Sequence, residues 1–357
     1  MKRTLILFAL AACLLSGQAR AAALPREVIN AAPEAAALVG DDPGNAFGLA
    51  GGVRVLLEGA AEDMKNYLFS GVRAVGAIMA GVVLLGVVES AAPAGKELLG
   101  RYTTAVGALW ITAMAAGDLD SLMGLGRETI LRVSQLSKAL LPTLAAAEAA
   151  SGGITAASVR QVAAVFFSDI LLTVIDRALL PAVYLYVGTA AAGTVLEGDA
   201  MARTGELLKK AVEWVLGGLL ALFTTYLTVS GAIAGAADAQ AVKAAQSAVS
   251  AAVPVVGGIL AEAAESVLAG AGLIRGMAGT AGVLALLGAC LLPFLRLGCQ
   301  YLLYQGASLV AAAAGPPKLA KLIAMLGDAF ALVLAMTGAS AVLLLISLLS
   351  AVKAVTP

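Results

Sequence analysis

The sequence predicts an all-α, polytopic transmembrane helical bundle, and three observations carry this prediction. Hydrophobic residues make up 61% of the 357 residues, which is more apolar surface than a soluble fold can cover. Charged residues make up 13%, about half of the share in an ordinary soluble domain. Long uncharged stretches alternate with short charged segments, and helical segments explain this pattern better than alternating strands do.

The charge balance and the residue content exclude several classes of function. The sequence has 23 Lys and Arg residues and 23 Asp and Glu residues. It therefore lacks the net positive charge that would indicate a nucleic acid partner. The absence of histidine from the sequence excludes Ser-His-Asp and Cys-His catalysis and every histidine metal site. The cysteines, Cys13, Cys290 and Cys299, lack the spacing of a zinc site or a disulfide framework.

The motifs of common catalytic sites are also missing from the sequence. We find no Walker A sequence, no G-x-G-x-x-G between a strand and a helix, no G-x-S-x-G and no zinc-protease motif. We therefore expect a protein that is not an enzyme, with no catalytic residue, no cofactor and no metal ion.

Residues 1–23 are predicted to be a cleavable signal peptide. Lys2 and Arg3 supply the positive start, and residues 4–15 form an apolar stretch that is short for a membrane span. Residues 16–21 end in the small side chains that signal peptidase prefers. The alternative is a short first membrane helix that is retained. Cleavage would place the mature N-terminus outside the cytoplasm.

Residues 24–73 are predicted to form a short extracytoplasmic segment before the membrane domain. Only three basic residues, Arg26, Arg54 and Lys65, lie between residues 24 and 70. Scarcity of Lys and Arg is typical of segments on the outer side of a membrane. The segment is too short and too rich in Gly and Ala to be a catalytic domain.

Residues 74–357 are predicted to form a multi-pass helical membrane domain with about seven or eight spans. Roughly 20 helical residues cross a bilayer core. The candidate spans are 74–88, 102–117, 133–150, 161–196, 214–237, 276–295, 297–317 and 329–352. The stretch 161–196 would be about 54 Å long as one helix, so Pro181 marks either a turn between two spans or a kink in one. Whether 297–317 crosses fully is also left open.

Two further stretches, 203–214 and 253–275, are predicted to be amphipathic helices at the membrane interface. In the first, apolar side chains oppose charged ones: Leu207, Leu208 and Val212 against Lys209, Lys210 and Glu213. Such helices lie on a membrane surface or dock a partner, although solvated loop helices would have the same pattern.

Asp169, Asp176 and Arg177 are predicted to be polar groups within the membrane. Asp169 and Asp176 are two helical turns apart and therefore share a face. Charges are costly in lipid, so these side chains should face the bundle interior, a water-filled path or each other. One interpretation is the lining of a translocation path, and the other is a structural ion pair near a helix end.

Two segments resemble stage III sporulation protein AE. Residues 140–144 (LLPTL), followed by 151–153 (SGG), are similar to an apolar L-(I/L)-P stretch and a later S-G-G of that family. Residues 253–257 (VPVVG) match its I-P-V-x-G segment without a gap. The matches that follow are Glu262, Glu265, Arg275, Gly279 and Gly282, with Glu for Asp at 262 and 265 and Arg for Lys at 275. The Pro316-Pro317 entry to the last helix also fits.

The resemblance implies a non-enzymatic, multi-pass membrane component of a sporulation channel or secretion-like complex. That complex is made by the mother cell and lies in the outer forespore membrane. With a forespore-side partner it links the two cells across the intermembrane space, and it supports forespore development after engulfment. The implied partners are other stage III sporulation membrane proteins, including a separate ATPase and ring-forming proteins. The family has no catalytic residues to assign to this sequence.

Within this resemblance, the candidate functional element consists of Pro254, Gly257, Glu262, Glu265 and Arg275. We expect Pro254 and Gly257 to shape a helix entry and the charges to contact the interface or a partner. A stand-alone secondary transporter is the alternative, with Asp169 and Asp176 as proton or cation sites. An intramembrane hydrolase is a third hypothesis, which the missing histidine disfavours.

Overall fold

The computed structural model describes residues 49–91, 97–150, 154–196, 200–252 and 257–353. All regular elements within these ranges are helices and none is a strand, which confirms the all-α prediction. The helices are α1 (Leu49–Ser90), α2 (Glu97–Ala150), α3 (Ile154–Val174), α4 (Leu180–Val195), α5 (Ala200–Ala252), α6 (Gly257–Ala314) and α7 (Pro317–Lys353). The predicted signal peptide lies outside the described residues, and α1 continues across the predicted boundary at residue 73.

A π-helical turn, Ile175–Leu179, joins α3 to α4 without interrupting the helical path. Val174 and Leu180, on either side of it, both have right-handed helical backbone angles. Pro181 follows in the first turn of α4, and a π turn relieves the crowding and the missing N–H that a proline brings to a helix. The stretch around Pro181 is therefore one irregular helix, and Pro181 does not mark a turn between two spans.

Five helical segments in the described part of the chain are long and apolar enough to cross a membrane. They are Leu56–Ser90, Gln161–Val195, Arg203–Val229, Gly282–Ala313 and Pro317–Leu348. The predicted count of seven or eight spans is not confirmed. One reason is that 276–295 and most of 297–317 belong to the single helix α6, which continues through Pro293.

Helix α7 is the centre of the bundle and packs against α6, α2, α4, α5 and α3. In the most apolar 18-residue stretch of α7, 61% of the residues are buried. In the equivalent stretches of α1 and α5, 22% of the residues are buried. Helix α1 packs on α6 and α2, and α5 packs on α4 and α3. The most hydrophobic helix is therefore a protein core element, and the outer helices present their apolar side chains to the surroundings.

The structure corrects the prediction of a separate amphipathic helix at 203–214. These residues are the beginning of the long helix α5 and not a separate surface helix. Leu207 is 68% exposed, whereas Lys209 turns inward to an acidic partner on α7. The reason is that Lys209 pairs with the half-buried carboxylate of Asp328, and this tertiary contact fixes the rotation of the helix at this point. Of the other predicted helix, 253–256 lie outside the described residues and 257–275 belong to α6.

Glycines allow α2 to approach α7 closely. A Cβ atom added at Gly126 would overlap with Cγ1 of Val333. Two residues earlier on the same helix, a Cβ at Gly124 would meet nothing within 4 Å. The two positions therefore form a matched pair for measuring how much the α2–α7 contact contributes to stability.

We predict that Gly126→Ala lowers the stability of the purified protein in detergent by about 1–3 kcal/mol, because the β-branched Val333 cannot move aside cheaply. Gly124→Ala, measured on the monomer in detergent, is the control and should leave stability unchanged or raise it by up to about 1 kcal/mol through helix propensity. Thermal unfolding of both variants measures the difference. Equal effects at the two positions would contradict this packing.

Candidate functional site

A first polar network joins α1, α2 and α6 around the carboxylate of Asp118. The Gln300 side-chain amide donates a hydrogen bond to Oδ2 of Asp118 at 2.9 Å, and the Tyr304 hydroxyl donates to the same oxygen at 3.3 Å. The Tyr67 hydroxyl donates to Oε1 of Gln300 at 3.5 Å. Gln300 and Tyr304 are buried. The carboxylate is thus held by neutral donors from another helix.

Arg296 brings a positive charge close to this network. Its guanidinium lies over the Tyr67 ring, 5.5 Å from the ring centre, in the geometry of a cation–π contact. Its Nε atom is buried and has no hydrogen-bond partner among the described residues. Arg296 is one helical turn before Gln300, so both side chains lie on the same side of α6.

A second polar network surrounds Asp328 on α7. Lys209 Nζ on α5 lies 2.8 Å from Oδ2 of Asp328, and the Gln305 amide on α6 donates to Oδ1 at 3.2 Å. The buried Tyr186 of α4 lies beside the same carboxylate. Four helices therefore meet at this one acidic side chain.

Helix α6 connects the two networks because Tyr304 and Gln305 are adjacent in sequence. Helix α7 comes close at this point: a Cβ at Gly327 would lie 3.2 Å from Cβ of Tyr304 and 3.4 Å from the Gln305 amide. We call the combined set the polar layer. Its members are Tyr67, Asp118, Tyr186, Lys209, Arg296, Gln300, Tyr304, Gln305 and Asp328.

A third set of polar contacts, the outer ladder, runs along the exposed seam between α2 and α3–α4. Arg127 and Asp176 form a two-pronged pair, with distances of 2.8 and 3.2 Å. The other contacts of the ladder are Lys138 with Asp169 at 3.1 Å and the Tyr184 hydroxyl with Asp120 at 3.4 Å. The side chains of Arg127 and Lys138 are 57% and 53% exposed, so this ladder lies on the outside of the bundle.

The structure brings Asp169 and Asp176 onto the same face, toward α2, as their spacing predicts. Each forms an ion pair with a basic residue of α2, which fits the structural interpretation of these charges. Arg177 pairs with neither aspartate and is exposed. Their role as the lining of a translocation path stays a prediction.

The candidate element at 254–275 cannot be placed in this geometry. Pro254 lies outside the described residues. Gly257, Glu262, Glu265 and Arg275 belong to the backbone of α6, and their side chains are outside the described part of the chain. Their proposed roles stay predictions.

Sequence reasoning missed the polar layer, although signals for it are present. Asp118 directly follows the uncharged stretch 102–117, and Asp328 directly precedes 329–352, so both resemble flanking charges. Gln300 and Gln305 carry no charge and do not interrupt an apolar stretch. A search for amides and tyrosines within the candidate spans would have found the α6 members of the layer.

The polar layer combines two carboxylates, a lysine and an arginine with neutral hydrogen-bond donors, and it does not resemble a hydrolytic site. Asp118 and Asp328 belong to separate networks, and each has its own donors. Within the described ranges, no group of three or more Cys, Asp or Glu side chains could hold a metal ion. Buried polar groups of this kind fix the arrangement of helices and mark paths for polar species.

We predict that Lys209→Met lowers the free energy of unfolding in detergent by about 1–3 kcal/mol, because it leaves the Asp328 carboxylate without its cation. Lys210→Met is the matched control at an exposed neighbour and should change stability by no more than about 0.5 kcal/mol. The double variant Lys209→Met with Asp328→Leu should recover most of the loss, since it removes both charges. Similar losses at 209 and 210 would show that the pair contributes little.

The comparisons with known proteins agree with the apolar helical architecture. A family model described as stage III sporulation protein AE matches residues 47–354, a range that includes all the described helical residues, Leu49 to Lys353. Comparison with curated proteins gives no significant match, and comparison with solved structures gives none. The family match covers most of the chain and contains both segments that carry the resemblance, so this chain belongs to the stage III sporulation protein AE family.

Proposed function

We propose that the chain is a non-enzymatic, multi-pass membrane component of the channel or secretion-like complex that joins mother cell and forespore. In this proposal it acts as an export platform and supports forespore development after engulfment. Membership of a stage III sporulation family and five apolar helices of spanning length support the proposal.

The polar layer is the observation on which this proposal rests most. It lies in the interior of the bundle, among helices that carry many exposed apolar side chains, and it joins α1, α2, α4, α5, α6 and α7. Polar groups are costly at such a depth and persist where they line a path or fix a functional arrangement. A platform that guides polar cargo needs both properties.

The remaining parts of the proposal come from the family. A separate ATPase would supply energy, because this sequence contains no nucleotide-binding motif. Ring-forming proteins and other stage III sporulation membrane proteins would be its neighbours in the outer forespore membrane. The element at 254–275 is the candidate contact for one of these partners.

We predict that Asp118→Asn reduces the number of heat-resistant spores in an endospore-forming host that lacks its own copy. The substitution keeps the shape of the side chain and removes the charge that Gln300 and Tyr304 stabilise. Asp120→Asn is the control, because Asp120 is exposed and accepts only a 3.4 Å bond. Engulfment and the amount of membrane protein should stay normal in both strains. A normal spore count for Asp118→Asn would contradict the proposed role of the layer.

The polar layer also favours a second candidate function, a secondary transporter that works alone. The sequence-based candidates for its cation sites, Asp169 and Asp176, already have basic partners. Asp118 instead accepts bonds from neutral donors, which suits a carboxylate that binds and releases a proton.

Liposomes that contain only the purified protein separate the two candidates. A transporter would move protons in response to a potassium diffusion potential, and Asp118→Asn would abolish this flux while Asp120→Asn would not. For the export platform we expect no flux above that of empty liposomes. A pH-sensitive dye inside the vesicles measures the outcome.

A further inference from the structure

One outer side of the bundle carries many polar and charged side chains, whereas the outer surfaces of the other helices carry many large apolar ones. We call this side the front face; it is formed by the exposed residues of α2 and α3–α4 around the outer ladder. On α2 they include the small or polar residues Gly117, Ser121, Gly124, Glu128 and Gln135, together with Leu131, which is 38% exposed. By contrast, the exposed side of α6 carries large apolar residues such as Leu302, Leu309 and Val310, which suit contact with lipid.

The ion pair between Arg127 and Asp176 fixes the relative height of two further charges. Glu128 and Arg177 are the next residues along the two antiparallel helices, so their heights differ by only about 3 Å at 1.5 Å per residue, and both are exposed. Among the described residues, Glu128 forms its ion pair with Arg132, one turn away, in an exposed contact at 2.9 Å. Arg177 has no ion-pair partner in the described part of the chain.

Arg177 is poorly placed for contact with lipid. It lies near the middle of the candidate span Gln161–Val195, about 24 Å from one end and about 27 Å from the other at 1.5 Å per residue. An arginine at such a position needs an anionic partner or water. The α2 glycines nearby, Gly117 and Gly124, have open space where a side chain would be.

We propose that a second copy of this chain packs against the front face, about a two-fold axis parallel to the membrane normal. Both copies must enter the bilayer in the same orientation. A two-fold axis along the membrane normal therefore places each residue at the same depth as the equivalent residue of the second copy. Arg177 of each copy then meets Glu128 of the other, and the two pairs are reciprocal, as an isologous interface requires.

The composition of the front face favours a second copy of this chain as the molecule that packs there. Its charges balance: four acidic and four basic side chains are exposed or half-buried there, namely Asp120, Glu128, Asp169 and Asp176 with Arg127, Arg132, Lys138 and Arg177. A self-complementary contact needs such a balance. The small residues of α2 let two copies of this helix approach closely, which is how helices associate in membranes. The proposal depends on membrane insertion and not on the channel role.

Cysteine cross-linking in native membranes tests the proposal. Gly124→Cys places a thiol on the front face near the axis, and Gly306→Cys is the matched control, an exposed glycine with equally open space on α6. We expect mild oxidation to give a band at twice the monomer mass for Gly124→Cys and not for Gly306→Cys or the parent chain. No such band, or a cross-link to a different protein, would overturn the assignment.

Charge reversal tests the reciprocal pair itself. Arg177→Glu and Glu128→Arg should each lower the association constant of the copies about tenfold, the effect expected of an interhelical polar contact. The double reversal should restore association, because the charges match again. Measurements in bilayers of neutral lipid give the association constants. Unchanged association in both single variants, or failure of the double variant to recover, would overturn the Arg177–Glu128 contact.

Discussion

The hydrogen bonds to the carboxylates of Asp118 and Asp328 decide how this bundle packs. Inside a lipid-embedded bundle no bulk water solvates a carboxylate, so each must find donors on neighbouring helices. Asp118 draws on α6, and Asp328 draws on α5 and α6. Because these donors must meet their acceptors together, the first network fixes the axial positions of α1 and α2 relative to α6, and the second fixes those of α5 and α6 relative to α7.

The same constraint explains why the molecule has two kinds of surface. Large exposed side chains such as Leu84 on α1 and Leu302 on α6 need no partner in lipid. The seam between α2 and α3–α4 instead carries ion pairs and Arg177, which need partners or water. Asp176 lies toward α2 and pairs with Arg127, whereas the next residue, Arg177, is exposed and has no ion-pair partner among the described residues.

Hydropathy and composition predicted the helical class, and the seven-residue spacing predicted the single face shared by Asp169 and Asp176. The start of the last helix at Pro317 agrees with the entry that the family resemblance implied. They did not predict the span count, because α6 continues through Pro293 and Arg296 as one helix. Periodicity also misplaced Leu207 and Lys209, since the tertiary pair with Asp328 outweighs the local pattern. The polar layer joins Tyr67 to Gln300 and Asp118, residues far apart in sequence. Such contacts depend on tertiary packing, which no local spacing encodes.

The central claim is that this chain works as one subunit of a larger machine and has no catalytic activity of its own. The most direct measurement is purification of the tagged full chain from membranes of sporulating cells after engulfment, followed by mass spectrometry of what accompanies it. The account predicts stoichiometric recovery of an ATPase and of ring-forming membrane proteins. Recovery of the chain without such partners, under conditions that preserve other membrane complexes, would contradict it.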